Sequence, residues 1–147
     1  MSPAPSSGPV VVGVDGSASS KQALAWAARW AKLTGTSLVA VTAWSFPTMY
    51  GWGGPAPLPD DFDPEALARG SLEETVSEVL GRHPDIEVTT EVAEGHPALL
   101  LTERSKTASL VVVGSRGHGA FTGMLLGSVS EFVITHAGCP VVVVRDG

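Results

Sequence analysis

Short unbroken apolar runs alternate along this chain with longer segments whose apolar residues recur at helical spacing. Val10-Val11-Val12-Gly13-Val14, Leu110-Val111-Val112-Val113 and Val141-Val142-Val143-Val144 are continuous runs, and Ser37-Leu38-Val39-Ala40-Val41-Thr42-Ala43-Trp44 is nearly so. Such runs suit strands of a parallel sheet buried on both faces. Ile86-Glu87-Val88-Thr89-Thr90-Glu91 instead alternates with period two, which predicts a strand with one wet side or a place at the sheet edge. Between the runs, Ser19 with Gln22 three residues on predicts a capped helix ending near Gly35. Asp63 and Pro64 are a matched N-cap and first helical residue, and Ala68, Leu72, Val76, Val79 and Leu80 form the apolar stripe that follows. A short helix is predicted from Pro97 to about Ser105, and a last one from Val129 to Ala137.

Five strands alternating with four helices imply parallel βαβ units in an α/β three-layer sandwich. At 147 residues the chain fits one domain, with residues 10–147 forming it and residues 1–9, rich in Pro, Ser and Ala, a loose leader. Residues 47–61, rich in Pro and Gly, are expected to be a surface loop. Trp26 and Trp30 at i, i+4 read as packing, and Glu73, Glu74 and Glu78 as a solvated helix face.

Composition narrows the partners. A net charge of −6 argues against a broad nucleic-acid or anionic-membrane surface, which would need clustered Lys and Arg. No apolar stretch approaches the roughly 20 residues of a spanning helix, and no charged segment followed by an apolar one opens the chain, so no membrane and a cytoplasmic location are expected. The single cysteine, Cys139, cannot form an intramolecular disulfide and reads as a small buried residue. His83, His96, His118 and His136 show no metal-ligand spacing with one another or with Cys139.

The chemistry-bearing candidate is the glycine-rich stretch between the fourth strand and the last helix, from Gly114 to Ser130. Glycine lets a backbone approach a ligand closely, and a helix start offers unpaired N–H groups and a positive dipole end, so such connections suit phosphates. Known signatures can be tested against it. Gly114 and Gly119 have Walker A spacing but are followed by Ala120-Phe121, with no lysine. In a Rossmann G-x-G-x-x-G reading, Gly117-His118-Gly119 is followed by Gly123, one residue late. No aspartate ends the third strand and no lysine follows the fifth, against a response-regulator receiver. Gly13-Val14-Asp15-Gly16-Ser17 does not match the S-G-G-x-D-S loop of PP-loop synthetases.

What remains is Gly114-x-x-Gly117, nine residues, then Gly127-Ser128. This G-x2-G-x9-G-[ST] spacing resembles the ATP-binding motif of the universal stress protein family. Val12-Gly13-Val14-Asp15-Gly16-Ser17 is similar to that family's opening strand, and Val111-Val112-Val113-Gly114-Ser115-Arg116-Gly117 to its fourth. The resemblance implies an adenine nucleotide alpha hydrolase-like fold with strand order 3-2-1-4-5. It implies that Asp15 accepts from the adenine amino group beside Gly13 and Val14, and that Ala43 lines the pocket. Val113 and Gly114 would meet adenine or ribose, and Gly117, Gly127, Ser128, Val129 and Ser130 would hold ribose and phosphates.

The residues themselves fit those roles. Ser128 and Glu131 read as a capping box, leaving the N–H groups of Val129 and Ser130 to face an anion, with Arg116 and His118 as further donors. No catalytic arrangement is recognisable around them. The expectation is therefore ATP, with Mg²⁺, acting through conformation or partner binding. A slow ATPase or autophosphorylating enzyme, and a dimeric scaffold that binds no ATP or binds AMP or cAMP, stay open. The valine run of Val141–Val144, preceded by Pro140, would leave an apolar edge; universal stress proteins similarly dimerise there, so a homodimer is expected.

Overall fold

A computed structural model describes residues 8–45, 61–82, 84–116 and 126–145. The 47–61 loop, all but its last residue, lies outside the described residues, as do residues 1–7, Gly117 and His118. Among the described residues nine elements follow in order: β1 (Val10–Gly13), α1 (Ala18–Thr34), β2 (Leu38–Trp44), α2 (Pro64–Leu80), β3 (Val88–Glu94), α3 (Pro97–Ser105), β4 (Leu110–Gly114), α4 (Ser128–His136) and β5 (Val141–Val144). The strands form one sheet, ordered β3-β2-β1-β4-β5, and every pairing is parallel.

The unbroken valine runs are explained by what covers the sheet. Successive strand side chains point to opposite faces, so a strand covered on both sides needs apolar residues throughout. Val10, Val12, Leu38, Ala40, Leu110 and Val112 share one core with Ala23, Leu24, Ala27 and Ala31 of α1 and Leu72 of α2. Val11, Val41, Val111 and Val113 share the other with Leu101 of α3 and Val133 of α4. Alanines let α1 lie close to the strands. Trp26 packs against the first core and Trp30, stacked on it with ring centroids 5.6 Å apart, is partly exposed. Among the described residues, no helix is long and apolar enough to cross a membrane.

Three boundaries differ from the sequence expectation. The third strand runs from Val88 to Glu94, later than the alternating stretch from Ile86, because its parallel register with β2 continues to Trp44 opposite Glu94. Helix α1 begins at Ala18, with Ser17 as N-cap, so Ser19 lies inside the first turn. Helix α4 begins at Ser128 with Gly127 as N-cap; Ser128 is its first residue and not its cap. The cap of α2 is as expected, the Asp63 side chain accepting from the Ala66 amide at 3.1 Å with Pro64 next in line. Cys139 is half-buried, and burial pushes its thiol above the ordinary cysteine range, partly offset by a backbone hydrogen bond from Val111.

Candidate functional site

The sheet order makes β1 and β4 neighbours although the chain between them traverses β2 and β3. From β1 the connections run outward one way and from β4 the other, so the carboxyl ends of these two strands flank the topological switch point. Gly13, Val14 and Asp15 leave β1 there, and Val113, Gly114 and Arg116 leave β4 beside them. The Val14 amide donates to the Val41 carbonyl at 2.9 Å, which places Ala43, two residues further along β2 and half-buried, at the same end of the sheet.

The exit from β1 closes on itself. Gly16 adopts φ 84°, a left-handed conformation that disfavours any residue with a Cβ. That reversal lets an Asp15 carboxylate oxygen accept from the Ser17 amide at 2.9 Å, an Asx turn. Ser17 then caps α1, its hydroxyl accepting from the Ser20 amide at 3.2 Å, while the Ser20 hydroxyl accepts from the Asp15 amide at 3.3 Å and donates to the Ser17 carbonyl at 3.0 Å. The Asp15 side chain is exposed, held by this turn at the mouth of the switch point.

The exit from β4 is held by other elements. Gly114 passes over the first turn of α1 so closely that a Cβ there would lie 2.8 Å from the Ser19 carbonyl carbon and 2.9 Å from its oxygen, so only glycine fits without a shift. The Gly114 carbonyl accepts from the buried Ser130 hydroxyl at 2.6 Å, and the Arg116 amide donates to the buried Ser19 hydroxyl at 3.3 Å. Ser115, also buried, donates its amide to the Val144 carbonyl of β5 at 2.9 Å and accepts from the Gly127 amide at 2.6 Å. The result joins the end of β4 to the start of α4.

That start is capped by a residue with no side chain. Gly127 is extended, with φ −74° and ψ 164°, and no side chain of the described residues bonds to the first turn of α4. The first N–H groups of a helix have no partner within it, so those of Ser128, Val129 and Ser130 emerge here at the positive end of the dipole. Ser128 is exposed and Val129 half-buried. One expectation therefore changes. The Ser128–Glu131 capping box does not form. The Ser130 hydroxyl, 3% exposed, faces the Gly114 carbonyl and not the outside, so what Ser130 can offer an anion is its amide.

Of the sequence candidates, Gly13, Val14, Asp15, Ala43, Val113, Gly114, Arg116, Gly127, Ser128, Val129 and Ser130 come to one end of the sheet. Ser19, Ser20 and Ser115 were missed. Ser19 reads in sequence only as the cap of its helix, and no local pattern links it to Arg116, 97 residues away. Among the described residues, no three of His, Cys, Asp and Glu gather so as to hold a metal.

Comparison with known proteins places this geometry in context. The model of the Universal stress protein family matches residues 7–145. Universal stress protein Rv2623 of Mycobacterium tuberculosis is 41% identical over 147 residues, 98% of this chain and 47% of that protein. The chain thus spans about half the length of the curated relatives it matches. Among solved structures, UspA from Lactobacillus plantarum superimposes with a TM-score of 0.74 at 21% identity, covering 95% of this chain and 99% of that one. A universal stress protein in complex with cAMP gives a TM-score of 0.69 at 27% identity, covering 95% and 98%.

Proposed function

This chain belongs to the universal stress protein family, and on that premise we propose that it binds ATP with Mg²⁺ at the carboxyl ends of β1 and β4, and acts through nucleotide-dependent conformation or partner binding. The observation that carries this is the start of α4: a helix amino terminus capped by glycine alone, tied to the exit of β4, and facing the same switch point as the exposed Asp15 carboxylate. Amides that the helix itself leaves over and the dipole end suit phosphate, and a fixed carboxylate suits an amino group of a base. In this arrangement Asp15 accepts from the adenine amino group, with Gly13, Val14, Ala43, Val113 and Gly114 around the nucleoside. Arg116, Gly117, His118, Gly127 and the amides of Ser128, Val129 and Ser130 take ribose and phosphates. Mg²⁺ would arrive on the phosphates, completed by water, with no dedicated cluster of ligands among the described residues.

Rapid hydrolysis is not part of the proposal. It needs a positioned water and a charge-stabilising group, and Asp15 is committed to the Ser17 turn. The solved relative bound to cAMP supports a second ligand class, adenine monophosphates, for the same site. The proposal further includes a single domain over residues 10–147 behind a leader, a cytoplasmic location, and a homodimer through Val141–Val144, which lies at the edge of the sheet.

Thermal denaturation with added nucleotide tests the binding. Ligand at 100 times its Kd adds about 2.7 kcal/mol, which raises the Tm of a domain of this size by roughly 5 to 10 °C. ATP with Mg²⁺ is expected to produce that shift, and GTP a clearly smaller one. Equal shifts would remove Asp15 as the adenine reader, and a Tm unmoved by ATP, AMP or cAMP would overturn nucleotide binding altogether.

A further inference from the structure

The two halves of the proposed site leave the sheet on different strands, and something must fix their separation. We infer that the adjacent serines Ser19 and Ser20, on the first turn of α1, are positioning residues that set the distance between the base-reading and phosphate-holding ends. This rests on the nucleotide proposal and extends it to residues that touch no part of the ligand. Ser20 accepts the amide of Asp15, at the base end. Ser19 accepts the amide of Arg116, at the start of the phosphate end. Both hydroxyls are buried, at 4% and 3% exposure, and both stand on one helical turn, so they are rigidly related to each other.

Packing supports the same division. The hydroxyl of Ser19 lies where a Gly114 side chain would have to go, so β4 and α1 are in direct contact at that serine. On the other side of Gly114, Ser130 pulls its carbonyl toward α4. The exit of β4 is therefore gripped between α1 and α4, and loss of the Ser19 hydroxyl releases one jaw without disturbing Asp15. Loss of the Ser20 hydroxyl loosens Asp15 without disturbing Arg116.

Ser19→Ala and Ser20→Ala test this, each measured by isothermal titration with adenosine and with ATP, alongside the Tm of the free protein. Alanine is the best helix former and similar in size to serine, so both variants keep their fold. A single hydrogen bond corresponds to a few-fold change in affinity. Ser19→Ala is expected to weaken ATP about 3- to 10-fold and adenosine by a clearly smaller factor, since Gly114 beside the nucleoside packs on the same serine. Ser20→Ala is expected to weaken adenosine and ATP by the same factor. If each variant weakens both ligands equally, or if affinity is unchanged in both, the positioning role is wrong even though the wild type binds. If the wild type binds neither adenosine nor ATP, nucleotide binding fails and the inference falls with it.

Discussion

The two strand exits at the switch point solve the same geometric problem by opposite means. After β1 the chain turns within a few residues, and the amides of Asp15, Ser17 and Ser20 each find an acceptor side chain within that same segment. After β4 the backbone is satisfied by partners far away in sequence: Ser19 on α1, Val144 on β5, Ser130 and Gly127 at α4. The first exit ends in a helix capped by a serine side chain, the second in a helix capped by glycine. A locally closed turn suits the base-reading role proposed for the Asp15 carboxylate. An amino terminus that its own side chains leave open suits a ligand that supplies the missing acceptors.

The contrast is sharpest at the two glycines that end the strands. A Cβ on Gly114 would press on the backbone of Ser19 at 2.8 Å, and a backbone inside a packed helix turn cannot step aside. A Cβ on Gly13 would meet the Cδ1 of Leu101 at 2.9 Å, the far end of a flexible side chain. Gly114→Ala is therefore expected to cost about 1 to 3 kcal/mol, as overpacking does, and to lower the Tm by roughly 3 to 10 °C. Gly13→Ala is expected to cost less than about 1 kcal/mol, since Leu101 can change rotamer and alanine restricts the unfolded chain. Denaturant unfolding of the two variants side by side decides it. Equal costs would show that the grip on β4 is no tighter than the packing on β1.

The locally closed exit should break at one hydroxyl. Ser17→Ala removes the side-chain cap of α1 and leaves the Ser20 amide without its acceptor, an expected loss of about 1 kcal/mol, or roughly 2 to 4 °C in Tm. The effect is smaller than that of Gly114→Ala because one hydrogen bond is lost and no atom is forced into occupied space. A loss of this size would confirm that the first exit is held by its own residues.

The same contrast explains what could be read from the amino-acid sequence. Strands covered on both faces carry continuous valine runs, and Asp63-Pro64 caps its helix by a bond within one turn, so these were legible. The end of β3 was not, because pairing with β2 and not alternation decides where it stops. At the site, Asp15, Gly114 and Gly127 stood out as chemical types. The role of Ser128 was misread because Gly127, with its amide spent on the Ser115 carbonyl, takes the extended cap position, which no local motif announces. Ser19, Ser20 and Ser130 show their work only through bonds to a neighbouring strand or turn.

The smallest change in stability should carry the most information about ligand. Ser128 is exposed and is the first residue of α4, so Ser128→Asp places a carboxylate at a helix amino terminus with little steric consequence. Interaction with the dipole should stabilise the free protein by about 0.3 to 1 kcal/mol. The same charge then occupies the place proposed for phosphate and repels it. Two like charges about 4 Å apart near a protein surface oppose one another by a few kcal/mol, so ATP affinity should fall at least about ten-fold. At the β1 exit a carboxylate is already present and already bonded to Ser17, so adenosine, which carries no phosphate, should bind Ser128→Asp nearly as it binds the wild type. A variant that is slightly more stable, binds adenosine normally and loses ATP would separate the two exits by function. If ATP binds it undiminished, the open amino terminus of α4 is not where the phosphates lie.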